Sequence, residues 1–94
     1  MSDREILVVN GDLIGEEAER VKLVLTSMIE SSAIKDIMLD VTNMKKFDTL
    51  GLKVLMIAQK ELMKSKRRLC LRSASPNIYK VLSAMSLVEC VELR

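Results

Sequence analysis

Ninety-four residues with a net charge of +2 allow one domain, and a hydrophobic share of 49% is too high for a disordered chain. The absence of histidine excludes a His-dependent catalytic triad and a His-containing zinc site, and two cysteines are too few for an all-thiolate one. With Phe47 and Tyr79 as its aromatic residues, the chain must build its core from aliphatic side chains and methionine.

The first element in chain order is Glu5 to Val9, a short apolar run with strand propensity, ended by the turn Asn10-Gly11-Asp12. From Glu16 to about Ser31 the apolar residues Ala18, Val21, Leu25, Met28 and Ile29 recur in steps of three and four, the spacing of one helical face. Glu16, Glu17 and Glu19 stand at the start of that helix, where its dipole favours negative charge. Asp36 to Val41 has the length and composition of a buried strand. Asp48 to about Lys64 reads as a second helix, with Asp48 as its N-cap and Leu52, Leu55, Met56, Leu62 and Met63 as core candidates. The strand Arg68 to Arg72 is apolar on both faces at its Leu-Cys-Leu centre. Ser75-Pro76 opens a third helix with Ile78, Val81, Leu82 and Met85 facing inward. Val88 to Leu93 suits a final edge strand. The order β-α-β-α-β-α-β, with near-continuous apolar strands, predicts a mainly parallel four-stranded sheet packed by helices, in one α/β domain over residues 1–94.

Charge is distributed unevenly along this order. Residues 1–44 carry four basic and nine acidic side chains, a net −5; residues 45–94 carry eleven and four, a net +7. The densest basic stretch is Lys64, Lys66, Arg67 and Arg68. A nucleic-acid surface would need stacking aromatics that this chain lacks, so the stretch reads as a solvated turn and no nucleic-acid partner is expected.

Asp12, Asp40 and Asp48 fall at strand ends or helix starts. Carboxylates gathered there could hold a divalent cation or act as acid and base, but each is accounted for as a local cap or turn. Gly11, Gly15 and Gly51 compose neither a phosphate-cradling loop nor a dinucleotide fingerprint, and no serine or threonine has an evident base. No enzymatic activity, metal or cofactor is expected. Cys70 and Cys90 are expected as free, buried thiols of a cytoplasmic protein. Apolar runs stop short of the roughly 18 residues of a membrane span, and Met-Ser-Asp-Arg-Glu does not open like a secretion signal.

A strand ending Leu39-Asp40-Val41-Thr42, a short loop, and Phe47-Asp48-Thr49-Leu50-Gly51-Leu52 opening a helix resemble the signature of the STAS domain. This is the family of bacterial anti-sigma factor antagonists and of the cytoplasmic tails of sulfate transporters. The turn Gly11-Asp12-Leu13 resembles the family's second landmark, and the element order matches over about residues 5–93. Two departures stand out. The family's first strand has no room before Ile6, so it is absent or borrowed; and Leu50 occupies the position of the usual phosphorylated serine, immediately before Gly51.

The resemblance implies a non-enzymatic module that docks onto a kinase-type anti-sigma factor through Asp48, Thr49, Leu50, Gly51, Lys53 and Ile57. Leucine has no oxygen to accept a phosphate, so the module is either constitutive or switched through Thr49, the remaining hydroxyl of the motif. A threonine followed by a non-hydroxyl residue and glycine also resembles the STAS accessory subunit that binds the ATPase of bacterial lipid-transport ABC complexes. Leu50, Lys53, Ile57, Lys60 and Lys64 share one side of the helix, and the lysines predict a wet side on which Leu50 and Ile57 await a partner. The alternative is that Leu50 folds back as first-turn packing.

Overall fold

The computed structural model describes residues 4–31, 36–86 and 90–93. Its elements are β1 (Arg4–Val8), α1 (Gly15–Glu30), β2 (Asp36–Asp40), α2 (Thr49–Lys64), β3 (Leu69–Ala74), α3 (Pro76–Ala84) and β4 (Cys90–Leu93). The four strands form one sheet in the order β1-β2-β3-β4, and every pairing is parallel. The expected α/β order and parallel sheet are therefore present, with β4 at an edge. Val88 and Glu89, expected to begin β4, lie outside the described residues, as do the three that precede β1.

A sheet wound steadily in one direction takes its right-handed crossovers on one face. Leu7, Ile37, Leu39, Leu69 and Leu71 accordingly join the buried residues of all three helices in a single core cluster. Alternate residues point the other way. Ile6 and Val8 are exposed on that second side, whereas Met38 and Cys70 are buried without joining the cluster.

The helix faces are only partly those expected. Ala18, Val21, Leu25 and Met28 of α1 are buried, and Ile29 is half-buried. In α2 the inward residues are Val54, Leu55, Ala58 and Leu62; Met56 and Met63, expected in the core, are exposed, and Leu52 is half-buried. The smaller Val54 and Ala58 turn inward on the side toward α1, and the long flexible methionines are left outside. In α3 Ile78 and Leu82 are buried, while Val81 and Met85 are exposed, because a nine-residue helix buries only one residue per turn here.

The expectation of a free thiol is corrected at Cys70, which is disulfide-bonded. The parallel register sets Cys70 opposite Cys90 on the adjacent strand, a juxtaposition that residues twenty apart in sequence do not announce. Cys70 is buried as expected; the side chain of Cys90 lies outside the description.

Candidate partner-docking site

Parallel strands all end at the same edge of the sheet, so the loops after β1 and β2 meet there. The first loop turns at Gly11, whose φ of +86° disfavours any side chain. The second runs from Val41 to Asp48. They are joined by backbone hydrogen bonds: Leu13 N–H donates to the Lys46 carbonyl at 3.1 Å, and Asp48 N–H donates to the Leu13 carbonyl at 3.3 Å. Leu13 and Phe47 thereby form an isolated parallel bridge, with Leu13 fully buried.

Two carboxylates complete the junction. Asp12 Oδ1 accepts from the backbone N–H groups of Lys45 at 2.8 Å and Lys46 at 3.2 Å. Asp48 Oδ1 accepts from Gly51 N–H at 2.8 Å, the N-cap bond of α2, while its Oδ2 accepts from Gly15 N–H at 3.2 Å. The second bond matters because Ile14, at the N-cap of α1, has no side-chain oxygen to offer. One carboxylate thus caps the N-termini of two helices. Hydrogen bonds to the ionised form hold both carboxyls below their ordinary pKa, through Lys45 N–H for Asp12 and through Gly51 N–H and then Gly15 N–H for Asp48. Asp40 is also lowered, chiefly by the Thr42 hydroxyl, which donates to its Oδ1 at 2.6 Å.

Gly51 sits where α2 meets this loop. A Cβ there would lie 2.1 Å from the Leu13 carbonyl oxygen, so only glycine lets the helix start this close. The motif of residues 48–51 is therefore a rigid platform, and its glycine is required by contact rather than by a positive φ.

The sequence-predicted site residues have distinct environments on this platform. Asp48 and Thr49 are exposed at the start of α2, and Gly51 is buried. Leu50 is half-buried against the core cluster, so it packs the first turn while still reaching the surface. Lys53 is exposed, and Ile57 is 60% exposed. Leu50, Lys53 and Ile57 come together on one wall of a groove between α1 and α2, with a volume of about 430 Å³. Sequence reading missed the opposite wall, given by Lys22, Thr26 and Ile29 of α1. The half-apolar outer flank of α1 was the available signal.

Other candidates are absorbed by structure. Among the described residues no group of three or more potential ligands is placed to hold a metal ion. In the basic stretch, Arg67 donates to the Ile29 and Ser31 carbonyls at the end of α1, Arg68 pairs with Asp36 at 3.0 Å, and Lys64 pairs with Glu61 at 3.0 Å. No helix among the described residues is long and apolar enough to cross a membrane.

The chain belongs to the STAS domain family, whose family model it matches over residues 3–94. Among solved structures it resembles a Thermotoga maritima protein assigned as an anti-sigma factor antagonist, at 23% identity and a TM-score of 0.81 over 98% of this chain and 81% of that one. A sulfate transporter family protein from Wolinella succinogenes is 24% identical, with a TM-score of 0.77 over 97% of this chain and 78% of that one. The anti-sigma factor antagonist SpoIIAA in its unphosphorylated form is 20% identical, with a TM-score of 0.72 over 86% and 74%. At these identities the likeness is one of fold. No curated protein sequence matches the chain.

Proposed function

We propose that this STAS domain is a non-enzymatic interaction module of the anti-sigma factor antagonist type, binding a kinase-type anti-sigma factor through the start of α2. The observation that carries the reading is the platform itself. Asp12, Asp48 and Gly51 fix the first turn of α2 rigidly, with Thr49 exposed on it and Leu50, Lys53 and Ile57 leading away along one wall. Preorganisation of this kind lowers the ordering cost of docking. SpoIIAA, a protein of the same fold, has been solved in unphosphorylated and phosphorylated forms. Thr49 is the hydroxyl available to such a modification here, and Leu50 removes the one beside it.

A second reading is favoured by Leu50 alone. A half-buried leucine before Gly51 suits a scaffold that is never phosphorylated there, as in a STAS subunit holding the ATPase of a lipid-transport ABC complex. Affinity capture of tagged protein from its own cells, with identification of what is retained, separates the two. A kinase-type anti-sigma factor supports the first and an ABC ATPase the second. Ile57→Glu replaces an apolar side chain on the proposed surface by a charge that docking would have to desolvate, and should reduce capture at least about tenfold. Undiminished capture by a folded Ile57→Glu protein would remove α2 from the interface.

A further inference from the structure

The groove between α1 and α2 is polar at its two ends and apolar between them. Each helix contributes a lysine and, eight positions later, a glutamate: Lys22 and Glu30 from α1, Lys53 and Glu61 from α2. Both helices run from the same edge of the sheet, so the lysines gather toward one end of the groove and the glutamates toward the other. Leu25, Val54 and Ala58 form a buried floor, with the exposed Ile57 rising above it. The charges remain accessible. Lys22 makes only a long pair with Glu19, at 3.9 Å, and Glu61 an exposed one with Lys64; no ion pair holds Lys53 or Glu30 among the described residues.

We propose that this groove takes a short amphipathic helix of a protein partner, acidic in its first turn and basic in its last, lying parallel to α1 and α2. The proposal rests on the reading of α2 as a docking element and names the chemistry of what docks. Three arguments converge on that occupant. Eight residues of helix span about 12 Å, so a two-turn helix matches the separation of the charged ends. Its apolar residues at i, i+3, i+4 and i+7 would meet the floor. An acidic first turn and a basic last turn also agree with a helix's own dipole, so in the parallel orientation the occupant's internal preference and the groove's charges coincide. In the reverse orientation they oppose each other.

The test uses the purified protein and a labelled, capped helical peptide of about 14 residues, with glutamates in its first turn, lysines in its last and leucines at helical spacing between. A second peptide exchanges the two sets of charges. Fluorescence anisotropy should show the first bound about tenfold more tightly, with the preference shrinking as salt is raised. Exchanging all four groove charges (Lys22→Glu, Glu30→Lys, Lys53→Glu and Glu61→Lys) should invert the preference. The peptide comparison on unaltered protein stands even where that variant does not fold. Equal binding, a reversed preference or no binding of either peptide would overturn the proposal. So would a concentration-dependent dimer, seen by sedimentation, that buries the groove. Cellular capture that still depends on Ile57 while both peptides fail would discard the helical occupant and leave the docking role of α2 in place.

Discussion

At Gly51 one missing methyl group decides how two loops meet. Because the obstructing atom is a backbone oxygen, a Cβ cannot be accommodated by rotating a side chain. Gly51→Ala should therefore cost about 1–3 kcal/mol despite alanine's better helix propensity, and urea unfolding measures it. A variant as stable as the parent would mean that the loop and helix separate without penalty. Thr49 lies one turn before Lys53, and residues four apart on a helix are neighbours. Thr49→Glu puts a carboxylate within reach of that lysine and beside the Asp48 carboxylate. It should change the melting temperature little, since Thr49 is exposed, and weaken the acidic-first peptide several-fold by occupying Lys53. Thr49→Gln, of similar size and uncharged, should bind as the parent does; equal loss in both variants would assign the effect to bulk. Leu50 is a poorer probe, because its half-buried side chain mixes packing with exposure.

Between elements, the polar contacts that organise this fold span long stretches of sequence. Helix α1 has no basic residue in its last turn and no side-chain oxygen at its first cap. Both needs are met from elsewhere. Asp48 caps the start, and Arg67 donates to the Ile29 carbonyl at 2.8 Å and the Ser31 carbonyl at 3.3 Å at the end. Arg67→Ala should cost about 1–2 kcal/mol, with faster amide exchange confined first to the last turn of α1. Unchanged protection there would show the contacts to be inessential. The same contrast explains what could be read beforehand. Ser75 and Asp48 as N-caps were legible because a cap is a bond to the N–H three residues on, written in adjacent letters. The strands and their order along the chain were legible from apolar run length and from their alternation with helical patterns. The second bond of Asp48, the Asp12 bridge and the Arg67 clasp cross 33 to 38 residues, with no local pattern to mark them. Helix rotation failed for a different reason. Met56 and Met63 are the larger apolar residues, but Val54 and Ala58 fit where α1 comes near. The groove was half-visible: the α2 wall came from the motif, whereas the α1 wall needed the two helices side by side.

At the scale of the whole molecule, Asp12, Glu17, Asp40 and Asp48, four carboxylates among the described residues, have lowered pKa values, and these four stand near the edge where the parallel strands end. Arg20 holds Glu17 in its ionised form, and the same arginine donates to the Val8 carbonyl at 2.7 Å. A carboxyl whose folded pKa lies below its unfolded value binds fewer protons when folded. Its contribution is therefore complete above the ordinary aspartate value of about 4, and it is lost as pH falls through the lower folded value. Acid should accordingly loosen this edge of the sheet. Backbone amide shifts followed by NMR between about pH 6 and pH 2 can resolve this. Gly15 and Gly51 belong to different helices but donate to one carboxylate, so their amides should titrate together with a single midpoint below about 4. Lys45 and Lys46 should follow Asp12 as a second pair. Asp48→Asn keeps an oxygen for one cap but loses the charge. It should abolish the shared titration of Gly15 and Gly51, leave that of Lys45 and Lys46, and lower stability at neutral pH more than at pH 2. Separate midpoints for Gly15 and Gly51 in the parent protein would show that no single carboxylate joins the two helices.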